Sequence, residues 1–197
     1  RTLLSDDYYP AVVRPNVEVV TDGIQEIRRR AIVTTDGRER ATDVLVYCTG
    51  FKVSELLSGL DVRGVGGREL AADWSDGART LYGITVSGYP NLFFLMGPNT
   101  GLGHNSMIYM IESQIHYVIE AIRAMDAAHV HTVDPRPEIQ DQFTARIQKR
   151  LARSVWATGC QSWYLDEKGR NSTTWPGFTF EYRARTRRFD PGEYQMA

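Results

Sequence analysis

Leu92-Phe93-Phe94-Leu95-Met96 is an unbroken apolar run that opens into Gly97-Pro98-Asn99-Thr100-Gly101-Leu102-Gly103, a loop with three glycines and a proline. Beyond the loop, Met107, Ile111, Ile115, Val118, Ile122 and Met125 recur at spacings of four and three. That period places them on one face of a long helix. An apolar run without polar alternation suits a strand buried on both faces, as in a sheet covered by other layers. Asn105 and Ser106 stand where a helix start needs a cap. The order apolar strand, glycine-rich loop, helix predicts an α/β protein.

The same order appears in part upstream. Asp43-Val44-Leu45-Val46-Tyr47-Cys48-Thr49 is a second apolar run of strand length, and it ends at Gly50, where bare backbone lets another group approach closely. Before it, Val17–Thr21 alternates, Ile24–Ile27 and Ala31–Thr35 read as short strands, and Asp36-Gly37 supplies a hairpin turn between alternating segments. Residues 58–77 are rich in glycine and aspartate and read as loop, whereas Leu81–Val86 reads as a further strand. A second helix is predicted from Asp134 as cap, with Pro135 and Pro137 near its first turn. Its apolar positions, Ile139, Phe143, Ile147, Leu151 and Val155, are each four apart. The remaining segment is aromatic and arginine-rich, with a strand-like Phe178-Thr179-Phe180-Glu181-Tyr182.

Composition narrows the function classes. The 197 residues suffice for one sizeable core, and 42% hydrophobic with 24% charged residues is ordinary for a globular protein. A formal net charge of −1 gives no electrostatic footprint for nucleic acid. Four arginines between Arg183 and Arg188 are the one basic cluster, read as a solvated face or a subunit contact. Cys48 and Cys160 lie far apart in no CxxC, which suggests neither zinc nor a redox dithiol; Cys48 reads as a small core residue. No apolar run reaches the roughly 20 residues of a membrane span, and a reducing, cytoplasmic setting fits. Arg1–Tyr9 has no signal-peptide pattern and no initial Met, so the chain is expected to begin inside a longer protein.

A helix that starts directly after a glycine-rich loop presents unpaired N–H groups and a positive dipole end. Such an end stabilises an electron-rich oxygen or an anionic ring. An ordinary strand–loop–helix connection, with glycines needed only for turning, gives the same pattern. Taken with resemblance, the choice narrows. Asp43–Phe51 resembles the acidic residue, apolar strand, Ala-Thr-Gly-Phe segment of flavin-containing and Baeyer–Villiger monooxygenases, with Cys48 in place of Ala. Pro90–Asn99 is similar to the family's Pro-Asn, hydrophobic, Gly-Pro-Asn segment at the flavin ring. His104-Asn105-Ser106 and Glu112-Ser113-Gln114 resemble the helix that follows it. Asp7-Tyr8-Tyr9 and Arg14-Pro15-Asn16-Val17 resemble the exit from the NADPH domain, and Ser162-Trp163-Tyr164 the C-terminal Ser-Trp motif.

The resemblance implies a fold and a chemistry. The fold class is α/β, the C-terminal portion of a two-dinucleotide-binding-domain flavoprotein. Buried strands and a β-meander would pack on the long helix, with a helical and irregular extension. It implies an exit from the NADPH domain over residues 1–16, the C-terminal half of the FAD-binding domain over 17–130, and an extension over 131–197. The cofactors are FAD and NADPH, and the reaction inserts one oxygen atom of O2 into a small organic substrate through a peroxyflavin: ketone to ester, or oxidation at sulfur or nitrogen. Arg1 matches the catalytic arginine that serves flavin and nicotinamide. Thr49, Gly50, Gly97, Pro98, Asn99, His104, Asn105, Ser106 and Met107 match flavin-facing positions, and Trp163 the position that closes over NADPH. Asn99 has little structural need in a turn of this kind, which marks it further as a ligand contact.

There are departures. No G-x-G-x-x-G occurs, since Gly64-Val65-Gly66-Gly67 is not one. The two phosphate-binding motifs of the family would lie before Arg1, so the isolated chain is expected to be inactive and not to retain FAD. Its principal partner would be the missing N-terminal portion of the same enzyme, with a homo-oligomer as a further arrangement. A flavin-dependent NADPH reductase and a truncated, non-catalytic interaction module are the alternatives.

Overall fold

The computed structural model describes residues 4–50, 59–157, 164–166 and 168–197. Two compact units divide at Phe51/Lys52. Arg1 and Trp163, and with them Cys160 and Ser162, lie outside the described residues.

The first unit carries a short helix α1 (Tyr8–Val12) and a three-stranded antiparallel meander of β1 (Ile24–Ile27), β2 (Ala31–Thr34) and β3 (Glu39–Ala41). The meander follows the sequence reading. Its β2–β3 turn is the Asp36-Gly37 pair, with Gly37 at φ 81°, as a tight hairpin requires. The register sets Ile32 opposite Arg40 and, across β1, Ile27 opposite Ile32; it shifts by a bulge between Ile24 and Glu26. Val44–Gly50 differs from its expectation: it is irregular, and Val44, Val46, Tyr47 and Cys48 are exposed. An apolar run becomes a buried strand only where neighbouring strands take up its backbone groups. Among the described residues none runs beside this one.

In the second unit the chain forms a short helix α2 (Leu70–Asp73), α3 (Met107–Ala128), β4 (Val133–Pro135), α4 (Pro137–Leu151), α5 (Thr179–Arg185) and β5 (Tyr194–Met196). Strand β5 pairs antiparallel with β4, Val133 opposite Met196 and Pro135 opposite Tyr194, which brings the C-terminus back beside the end of α3. The core joins Leu81, Tyr82, Ile84 and Leu102 to Met110 and Tyr117 of α3, Phe143, Ile147 and Leu151 of α4, and Tyr182 of α5. Val133, Trp175 and Tyr194 complete it. The segment after residue 130 thus shares one core with the segment before it.

Helix α4 follows its predicted stripe, apart from Val155, which is exposed beyond its end. Asp134 does not cap it. The N-cap is Arg136, while Asp134 sits in β4 and accepts the Gly88 N–H at 2.9 Å. Burial raises the Asp134 carboxyl above its ordinary range against that bond.

Neither apolar segment before α3 is a regular strand. Leu81–Val86 is a tight turn closed by Leu81 against Thr85, with Tyr82 at φ 59° and Gly83 at φ 71°. Of Leu92–Met96 only Phe93 bridges, to Thr85, and Leu95 and Met96 are exposed. Phe178–Tyr182 enters a helix instead of a strand, because Thr179, Tyr182 and Thr186 are buried at spacings of three and four. Residues 58–77, expected as loop, hold α2 and a 3-10 turn at Val65–Gly67. The arginine cluster is partly built into the fold: Arg183 lies over the Tyr109 ring, and Arg185 pairs with Glu193 at 3.1 Å.

Candidate functional site

The loop from Met96 to Ser106 is held from three sides, each by residues remote in sequence. Below it lies the Tyr82–Gly83 turn. A Cβ added at Gly97 would come within 2.3 Å of the Gly83 carbonyl oxygen, and one at Gly83 within 2.8 Å of the Pro98 oxygen. The two turns therefore press backbone against backbone, and only glycine fits. Gly101 is packed likewise against Thr173, and Gly103 against the Trp156 ring. These three loop glycines serve the protein's own packing.

From the C-terminal side, Asn171–Thr174 clamps the loop. The Asn99 side-chain amide donates to the carbonyls of Asn171 (3.0 Å) and Thr174 (3.2 Å), and its backbone N–H to Ser172 O at 2.7 Å. Asn99 is buried and sits at φ 58°, a left-handed conformation that asparagine tolerates better than most residues. The expectation that Asn99 has little structural need is corrected: its side chain ties two segments 72 residues apart. Asn171 is itself fixed by its own turn, its Oδ1 accepting the N–H groups of Thr173 and Thr174 at 3.0 Å each.

Helix α3 supplies the third side. Gln114, fully buried, accepts the Met96 N–H on its Oε1 at 2.8 Å. Its Nε2 donates to the Tyr182 hydroxyl at 3.0 Å, and Tyr182 donates to the Tyr82 carbonyl at 2.6 Å. Burial pushes the Tyr182 hydroxyl above its ordinary range, so it stays protonated and remains a donor. Tyr82 in turn donates to Glu193 at 2.6 Å. Nearby, Tyr194 is within hydrogen-bond reach of Tyr117 and Thr85, each at 3.1 Å, with its own hydroxyl pushed up to about 12 by burial.

The loop delivers His104, Asn105 and Ser106 to the surface at the start of α3. Ser106 is the N-cap, as expected, but its side chain makes no cap bond, and the first turn holds no acidic residue. Asn105 is turned elsewhere: its Oδ1 accepts the Ser106 N–H at 2.7 Å and its Nδ2 donates to Thr179 of α5 at 3.0 Å. Met107 is half-buried against the core, with its sulfur 3.2 Å from the Leu102 N–H. A 22-residue helix thus begins at the surface with its first-turn N–H groups uncapped by any side chain among the described residues.

In the first unit, Thr49 and Gly50 are exposed. Gly50 is at φ 83°, and an added Cβ would meet nothing within 4 Å. The structure brings Gly97, Pro98, Asn99, His104, Asn105, Ser106 and Met107 together on one loop–helix junction. Tyr82, Asn171 and Thr174 were not singled out in the sequence, and Gln114 entered only as part of the Glu112-Ser113-Gln114 resemblance, with no role attached. For Asn171–Thr174 the run of side-chain hydrogen bonders was an available signal; for Tyr82 there was none. Among the described residues no three His, Cys, Asp or Glu side chains cluster as a metal site, and no helix is long and apolar enough to cross a membrane.

No family model matches the chain. It is 46% identical over 198 residues to the Baeyer-Villiger monooxygenase of Pseudomonas aeruginosa and 47% identical over 198 residues to that of Streptomyces coelicolor. Both alignments take in 100% of this chain and 38% of the relative. In structure it is similar to OTEMO in complex with FAD and NADP, with TM-score 0.85 and 25% identity over 100% of this chain and 38% of that one. The resemblance to Baeyer–Villiger monooxygenases therefore extends along the whole chain, which spans a little over a third of the length of such proteins.

Proposed function

We propose that this chain is part of an FAD- and NADPH-dependent monooxygenase that inserts one oxygen atom of O2 into a small organic substrate, turning a ketone into an ester or oxidising sulfur or nitrogen. The observation that carries the reading is the uncapped start of α3, at the end of a loop held by three separate contacts. It occurs in a chain similar throughout to monooxygenases.

The residues present fit a flavin. Uncapped N–H groups and the positive dipole end of α3 suit an electron-rich ring edge, and the first turn offers no carboxylate to repel it. Thr49 and the unobstructed Gly50 backbone, in the first unit, keep the cofactor-contact role the resemblance implies for them. When bound, FAD supplies the redox and oxygen chemistry. The chain's own contribution is position: α3 aims its N–H groups, and the Met96–Ser106 loop fixes where α3 begins. Arg1 and Trp163 keep the roles the resemblance implies for them, a cation at the flavin and nicotinamide, and closure over NADPH.

The partner is the rest of the longer protein. Helix α3 buries Met110, Gln114, Tyr117 and Ala121 on one face, yet Ile108, Ile115, Ile119 and Ile122 remain 62%, 41%, 42% and 46% exposed on the opposite one. A helix apolar on both faces is an interior helix, and the relatives carry well over half their length outside the region this chain matches.

Ser106→Asp in the full-length protein tests the α3 assignment. An aspartate N-cap occupies the free N–H groups and stabilises such a helix by about 1 kcal/mol. The melting temperature of the flavin-free protein should rise by roughly 1 °C, while the flavin's reduction potential falls and its reduction by NADPH slows. A gain in stability with an unchanged potential would remove the α3 start from the flavin.

A further inference from the structure

We infer that Gln114 is a positioning residue: from the second turn of α3 it holds the Met96–Asn99 turn in a strained conformation and ties it to the C-terminal helix α5. This deepens the reading above and rests on it for the link to the flavin.

The argument begins with what Gln114 costs. A fully buried amide must satisfy both its ends or lose free energy, and a leucine or methionine fills comparable volume without that demand. Both ends are satisfied here, by the Met96 N–H and the Tyr182 hydroxyl. The two ends of the relay share a property. Met96, at φ 58°, and Tyr82, at φ 59°, are both non-glycine residues in the left-handed region. Each such residue costs about 1–2 kcal/mol, and such strain persists where surrounding contacts enforce it.

Packing of Met96 itself does not explain its backbone. Its side chain is 47% exposed and that of Leu95 51%, so the turn pushes two apolar side chains outward and not into the core. What the strained backbone does achieve is the direction of the chain after Met96. Gly97 is pressed on Gly83, Asn99 is clamped by Asn171 and Thr174, and ten residues beyond Met96 the chain reaches Ser106 at the start of α3. Gln114 belongs to that same helix. The helix thus fixes the loop that leads into its own N-terminus, and through Tyr182 it fixes α5 as well. Neutral groups make the whole relay, so it holds over the range where the hydroxyl of Tyr182 stays protonated.

Two substitutions separate positioning from ordinary core stability. Gln114→Leu removes both hydrogen bonds. Tyr182→Phe keeps the Met96 contact and removes the link beyond it. Both should lower the melting temperature of the full-length holoenzyme. Only Gln114→Leu should speed hydrogen exchange at the Met96 amide, at least tenfold, shift the bound flavin's absorbance spectrum, and raise the peroxide released per NADPH severalfold with the KM for NADPH unchanged. Gln114→Met, which fills the space with a more adaptable chain, should behave as Gln114→Leu does. Unchanged Met96 exchange in both Gln114 variants would show that Gln114 does not hold the turn. Faster exchange without any change at the flavin, while Ser106→Asp still moves its potential, would contradict the positioning role and leave the flavin reading standing. No flavin response to either Ser106→Asp or Gln114→Leu would instead sink the flavin reading. Loss of the fold in both Gln114 variants would assign the residue to core stability and overturn the inference.

Discussion

Asn99 carries two jobs that the sequence did not separate. Its backbone is left-handed, and its side-chain amide joins the loop before α3 to the Asn171–Thr174 turn. Asn99→Ala removes two buried hydrogen bonds and puts into the left-handed conformation a residue that tolerates it less well than asparagine does. A loss of about 2–4 kcal/mol follows, measurable by urea denaturation of the full-length protein. Asn99→Gly loses the same bonds but relaxes the backbone, and should recover about 1 kcal/mol of it. Equal stability in all three proteins would show that the amide is idle. The sequence displayed Gly97, Asn99 and Ser106 as a dense local pattern. It held Gln114 in the Glu112-Ser113-Gln114 segment but could not display its contact, because its partner Met96 lies 18 residues away and nothing local marks the pair. The glycines illustrate the same limit: Gly97 was legible as a place of close approach, but what approaches is Gly83.

At the scale of elements, helix period is legible and helix facing is not always. Helix α4 shows a single apolar stripe, and the predicted one is the one buried. Helix α3 has apolar side chains on two faces. Of the stripe Met107, Ile111, Ile115, Val118, Ile122 and Met125, chosen for its regular spacing, Met107, Val118 and Met125 pack against the core, while the buried positions are Met110, Tyr117 and Ala121 with the polar Ser113 and Gln114. A tyrosine and an amide at helical spacing do not announce a core face, yet here the Tyr117 hydroxyl meets that of Tyr194 and the Gln114 amide donates to Tyr182. The apolar runs 44–49 and 92–96 were read as strands because strands are legible only as composition; their pairing partners are not in the local sequence. The outer isoleucines of α3 make a prediction at this scale. Ile115→Lys with Ile119→Lys should leave the helix content of the isolated chain unchanged, because both side chains are already partly in water. In the full-length protein the pair should cost roughly 3 kcal/mol or more, by burying two charges, and should release flavin during purification. An equally stable, fully loaded double variant would show that this face stays open to solvent.

At the largest scale the chain forms two compact units, the second built on a tyrosine-rich core, and spans 38% of its relatives' length. The fold class and the family resemblance were legible because several short segments recur in a fixed order. The substrate was not, since none of the segments that carry the resemblance says what group is oxidised. On the proposed function, the chemistry belongs to a bound cofactor while the protein supplies orientation. Its most direct test is isotopic. The full-length protein, purified with its flavin, is supplied with NADPH, a panel of ketones and sulfides, and 18O2, and the products are read by mass spectrometry. The account predicts an ester or sulfoxide carrying one 18O atom, formed with one NADPH consumed. NADPH oxidation that yields only hydrogen peroxide or reduced acceptors, with no 18O in any organic product, would contradict it.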